Sequence, residues 1–105
     1  MLDDTLIIWG GEFGRTPRSN NGGRDHNNKG FSMWLAGGGV TGGHRHGDTN
    51  DIGAEAADGK VSILDLHATI LHLLGLKMEK LTYPFASRDV RLRGDLGRVV
   101  EEILA

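Results

Sequence analysis

Glu12, Asp25 and His26 are the residues of this chain best suited to chemistry. Glu12 sits in WGGEFGRTPR, just past a short apolar run, where a carboxylate can bind a metal or act as a base. The plainer reading is an exposed loop glutamate paired with Arg15 or Arg18. Asp25 and His26 adjoin in GRDHNNKG, directly before the apolar FSMWLA. A hard oxygen donor beside a neutral imidazole suits zinc, manganese or iron. The competing reading is an Asx-type turn in which Asp25 bonds the backbone and His26 is exposed.

Other candidates are weaker. His44 and His46 form an H-x-H pair, which in an extended segment puts both rings on one face and can hold a metal. A solvated loop is the default there, because Arg45 between them adds repulsion. His67 and His72 fall roughly 140° apart on a helix, too far around for one ion. GGGVTG (37–42) matches G-x-G-x-x-G after a strand, yet GHRHGDTNDIG is not a helix start, so the dinucleotide fingerprint fails. Arg88, Arg91 and Arg93 cluster, but Asp89 and Asp95 dilute them and no aromatic residue interleaves, so a solvated face is expected.

The elements that must position these residues are few. Thr5-Leu6-Ile7-Ile8-Trp9 is a continuous apolar run and reads as a buried, parallel strand. Residues 10–30 read as loop, and Phe31–Ala36 as a second strand. SILDLHATILHLLG reads as an amphipathic helix, with Leu66, Ile70, Leu73 and Leu74 forming its apolar stripe. Ser62 and Asp65 have capping-box spacing, and Gly75 suits the left-handed residue that ends a helix. Tyr83-Pro84 reads as a break, Asp89–Leu92 as a short strand and Val99–Leu104 as a terminal helix. Strand, loop, strand, loop and helix in this order predict an α/β layered sheet. So few elements make a thin core, which predicts an incomplete piece of a larger α/β domain.

Composition excludes several classes. At 38% hydrophobic residues and a formal net charge of -2, the chain is of globular type, with no electrostatic case for nucleic acid. It has no cysteine, so disulfides, thiolate metal sites and a cysteine nucleophile are excluded. Its apolar runs fall far short of the ~18 residues of a membrane span, and no signal-peptide pattern opens it. Seventeen glycines, about twice the usual share, make the first half loop-rich.

Four segments in order, IIWGGEFGRTP, GRDHNNKGFSMWLAGGGVTGG, DLHATILHLLGL and LTYPFASRDVRL, resemble the domain of unknown function 1501 family. Its members are sulfatase-like proteins of the alkaline-phosphatase superfamily. The resemblance spans nearly the whole chain as a single segment, 1–105, and matches the C-terminal part of the family's domain. It implies an alkaline-phosphatase-like α/β/α sandwich with metal ions at the strand ends. Glu12 then stands where an Asp follows a core strand in relatives, and His26 where a late His ligand precedes the next strand. Asp25 would be a further ligand or an orienter of His26, and Arg15 would contact an anionic substrate. The helix would be a structural one carrying Asp65 and Thr69.

Two departures stand out. Phe13 occupies the place of a His that often follows the Asp, and GDTNDIG carries Asn50 and Asp51 where the family has a Gly-x-Thr-Asp-Glu-like stretch. Superfamily members carry the nucleophile and first metal ligands N-terminal to this region. The expectation is therefore the C-terminal fragment of a metal-dependent hydrolase of sulfate or phosphate esters, inactive alone. Its cofactor would be divalent zinc, manganese, calcium or magnesium, and its substrate an anionic ester. The alternative is a non-catalytic metal- or anion-binding remnant that pairs with another chain, self-associating through unpaired strand edges. The family is often exported, which leaves the location of this chain open.

Overall fold

The computed structural model describes residues 1–20, 22–77, 80–91 and 97–105. The chain folds as two compact units, Met1–Lys60 with Ala105, and Val61–Leu104.

The first unit is built from three antiparallel ribbons. Strand β1 (Leu6–Trp9) pairs with β4 (Trp34–Gly37), setting Trp9 directly opposite Trp34. Strands β2 (Gly14–Asn20) and β3 (Gly23–Asn27) form a hairpin whose register shifts between Arg15 and Ser19, the segment that contains Pro17. Such a shift lets a proline sit in a strand without losing a ladder bond. Strands β5 (Asp48–Thr49) and β6 (Ala56–Asp58) close a short third ribbon. Gly14 is required where it is, because a Cβ there would run into the carbonyl oxygen of Gly30.

The second unit holds helix α1 (Ile63–Leu73). Ser62 caps it: its hydroxyl accepts from the Asp65 N–H at 3.1 Å, and the Asp65 carboxylate accepts from the Ser62 N–H at 3.0 Å. The helix ends as a Schellman motif. Gly75, at φ 80°, donates to the His72 carbonyl at 2.9 Å, and Leu76 donates to that of Leu71 at 2.8 Å. Strands β7 (Thr82–Phe85) and β8 (Arg88–Arg91) form a hairpin. Its two turn residues, Ala86 and Ser87, have φ of 52° and 67°, as a type I′ turn requires.

The core of this unit is polar at its centre. Thr69 is fully buried on α1; its hydroxyl donates to the Asp65 carbonyl at 2.7 Å and accepts from the Val100 N–H at 2.9 Å. The Asp65 carboxylate also accepts from the Arg98 N–H at 2.8 Å. One helix turn thus holds the backbone of 98–100 by two side chains. The neighbouring Gly97 has no room for a Cβ, which would meet the Leu64 carbonyl.

The architecture corrects the expected α/β/α sandwich. Among the described residues this is a small β-rich chain of antiparallel ribbons with one α-helix. The apolar run at 5–9 does form a strand, but it is antiparallel and largely exposed, with Ile7 at 41% and Trp9 at 75%. A two-stranded ribbon cannot cover both of its faces, so apolar content alone did not make this strand buried. The loop expected over 10–30 contains the β2–β3 hairpin. Tyr83-Pro84 is not a break, since Pro84 lies within β7, where a two-stranded ribbon leaves its missing N–H without cost. The expected terminal helix is a single 3-10 turn, Glu101–Ile103. Leu92 of the strand expected over 89–92 lies outside the described residues, as do Arg93 and Asp95 of the arginine cluster.

Candidate functional site

The β2–β3 hairpin sets Arg15 directly opposite His26. Glu12 lies two residues before β2, close enough to turn its carboxylate back onto both. Its Oε1 accepts from Arg15 Nη2 at 2.9 Å and lies 3.4 Å from His26 Nε2. The Phe13 ring stands 6.1 Å from the His26 ring, tilted by 50°. All three polar side chains are open to solvent, with exposures of 57% for Glu12, 44% for Arg15 and 61% for His26. Solvent at this level keeps ion pairs weak, so the cluster is accessible chemistry rather than a stabilising core.

The electrostatics favour an ionised Glu12. A hydrogen bond from its own backbone holds its carboxyl below the usual carboxylate range, and the hydrogen bond and charge of Arg15 add to this. Anchoring has a cost for Arg15: Nη2 is engaged by Glu12 and Nη1 by the Gly14 carbonyl at 3.0 Å. Its guanidinium is thereby held at a fixed place beside the imidazole.

Asp25 does not join this group. It precedes His26 on β3, in the stretch where the register against β2 is irregular. Its backbone N–H donates to the Thr16 hydroxyl at 3.1 Å, fastening the hairpin. Among the described residues no cluster of three or more His, Cys, Asp or Glu able to hold a metal is present.

Asn27 is the residue that sequence reasoning passed over. It is buried directly after His26; its Nδ2 donates to the Ala54 carbonyl at 2.7 Å and its Oδ1 accepts from the Lys29 N–H at 3.0 Å. The Lys29 carbonyl accepts in turn from the Ala56 N–H at 2.7 Å. The strand end that carries His26 is thus tied to the loop before β6. Asn50, in that same loop, accepts from the Ala54 N–H at 2.8 Å through its side-chain oxygen. An acceptor at position 50 therefore has a structural use. No periodicity in GRDHNNKG marks Asn27; only its place in a polar run flanked by glycine hints at a turn-forming amide.

The remaining candidates separate cleanly. The His44 and His46 rings lie 6.3 Å apart. His67 and His72 are both exposed on α1. No helix follows GGGVTG: residues 41–47 contain only a turn and irregular backbone. No helix among the described residues is long and apolar enough to cross a membrane.

Antiparallel ribbons carrying an exposed carboxylate, guanidinium and imidazole at one hairpin define a small β-rich protein with a charged surface site. The chain belongs to the family described as Protein of unknown function (DUF1501), whose model matches residues 1–104. No curated protein and no solved structure matches it.

Proposed function

We propose that this chain supplies metal ligands to a sulfatase-like, metal-dependent hydrolase of sulfate or phosphate esters. The observation that carries the reading is the 3.4 Å between Glu12 Oε1 and His26 Nε2. Two donors bound at about 2.0–2.2 Å to one tetrahedral ion lie roughly 3.3–3.5 Å apart, so the pair has the spacing of two ligands on one ion. A carboxylate with an imidazole suits zinc or manganese better than calcium or magnesium. Asp25 is left out of the ligand set.

When bound, the ion would supply Lewis-acid stabilisation of an ester oxygen. The chain's own residues would do the rest. Glu12 stays ionised, which keeps a donor ready at neutral pH. Arg15, with Nη1 and Nη2 already bonded to the Gly14 carbonyl and Glu12, would offer a sulfate or phosphate group its positive charge and its remaining N–H groups. Phe13 supplies a wall against the His26 ring rather than a ligand.

The test is metal bound per chain, measured after loading the protein with zinc or manganese. The reading expects a loss in both Glu12→Ala and His26→Ala. Undiminished metal in both variants would remove the assignment. Because the nucleophile is assigned to no residue here, the 105-residue chain is expected to bind metal without turning over ester substrates.

A second reading is a non-catalytic metal- or anion-binding module that pairs with another chain. The β1–β4 ribbon favours it, with Trp9 75% and Trp34 56% exposed opposite one another. Light scattering that gives a monomer at every concentration would remove self-pairing.

A further inference from the structure

We propose that Thr16 is a positioning residue for His26: its hydroxyl closes an irregular stretch of the β2–β3 hairpin and so sets the imidazole against Glu12 and Arg15. This role rests on the reading of Glu12 and His26 as the functional pair.

The hairpin register locates the device. Arg15 pairs with His26, and Ser19 pairs with Arg24. Between those pairs β2 has three residues, Thr16, Pro17 and Arg18, where β3 has only Asp25. The ladder therefore breaks immediately beside the Arg15–His26 pair. Pro17 has no N–H with which to mend it. Extra residues of this kind bend their strand and re-aim nearby side chains, and such bulges are common next to active sites.

Thr16 supplies bonds where the ladder is interrupted. Its hydroxyl accepts from the Asp25 N–H at 3.1 Å and donates to the Arg18 carbonyl at 2.9 Å. Its own carbonyl accepts from Arg24 Nε. One side chain thus spans the gap across the hairpin and also fixes the curl of the extra residues. A hydroxyl has one proton to give and lone pairs to receive, so it serves both partners at once. The β-branch of threonine restricts χ1, which holds that hydroxyl in place.

The other side of His26 is fastened independently. Asn27 is buried and bonded through its side chain to the Ala54 carbonyl and the Lys29 N–H. His26 is therefore exposed yet held between two anchored neighbours. Anchoring of this kind gives its ring a defined place, 3.4 Å from Glu12 Oε1 and 6.1 Å from the Phe13 ring.

The experiment compares Thr16→Val, which keeps the β-branch and removes the hydroxyl, with Thr16→Ser, which keeps the hydroxyl. The metal-free readout is the proton spectrum of the His26 ring at fixed pH: its ring-current shift from Phe13 and its cross-relaxation with the Glu12 side chain. Thr16→Val should lose both while the Asn27 side-chain amide stays native, and Thr16→Ser should restore both. Zinc binding should weaken by about tenfold in Thr16→Val, as it does when a group orienting a ligand is removed, and recover in Thr16→Ser. A His26 spectrum unchanged in Thr16→Val overturns the role, as does a Thr16→Ser chain that behaves like Thr16→Val. The native chain gives a check that needs no variant: the Asp25 amide should be protected from hydrogen exchange, and an unprotected one overturns the role as well. A native chain that takes up no zinc removes the metal reading instead, and the metal-free spectra still decide the role of Thr16.

Discussion

The Thr69 hydroxyl accepts a hydrogen bond of 2.9 Å from the Val100 N–H, and both residues are buried. A helix side chain therefore completes the backbone bonding of the C-terminal segment. Thr69→Val keeps the shape but leaves a buried N–H without an acceptor. The expected cost is about 1–3 kcal/mol in urea unfolding, whereas Thr69→Ser should recover most of it.

Asp65 links the start of the same helix to that segment, and its pKa predicts the response to acid. The Arg98 N–H holds its carboxyl below the usual range, helped by the backbone and side chain of Ser62 and by the Arg98 charge, with burial opposing. A folded-state pKa below the unfolded one gives stability that is present above the unfolded value, about 3.9 for an aspartate. That stability is lost as pH falls through the lower folded value. Melting temperature should therefore drop on acidification below pH ~4, and Asp65→Asn should flatten that part of the profile.

Asn27 fastens the strand end beside His26 to the loop that precedes β6. Asn27→Ala should leave the Ala54 carbonyl without its side-chain donor and the Lys29 N–H without its acceptor. Hydrogen exchange should then quicken at Lys29 and Ala56, while the amides of α1 stay protected. Equal exchange at all of these sites would mean that the amide does not hold the loop.

Arg15 and Glu12 form an exposed pair, so their value to stability is small. Arg15→Ala should leave the urea unfolding midpoint nearly unchanged, and added salt should erase any difference. A larger change would make the cluster a structural feature and weaken its reading as a functional one.

How far the sequence foretold this molecule depended on the type of signal. The helix was legible because its signals are local: Ser62 and Asp65 at capping-box spacing, and Gly75 at the end, form the caps that their types imply. Glu12 and His26 were singled out separately, and the contact that puts them 3.4 Å apart comes from the β2–β3 hairpin, in a stretch that read as loop. Strand partners were not legible, because a run such as Leu6–Trp9 announces a strand without saying what covers it. The β2–β3 hairpin carries no apolar alternation, so no strand pattern marks it in a stretch rich in glycine and asparagine. Thr69 meeting Val100 joins residues 31 positions apart, and no local pattern records such a contact. Asp25 was grouped with His26 by adjacency, and what the structure records of it is a backbone N–H bond to the Thr16 hydroxyl across the hairpin.

The central claim is that Glu12 and His26 share one ion. It is tested most directly by nitrogen-15 resonances of the five histidines during zinc addition, since each ring reports separately. The account predicts that His26 Nε2 moves to a metal-bound position in the native protein and stays in place in Glu12→Ala. A His26 resonance unmoved by zinc in the native protein would contradict it.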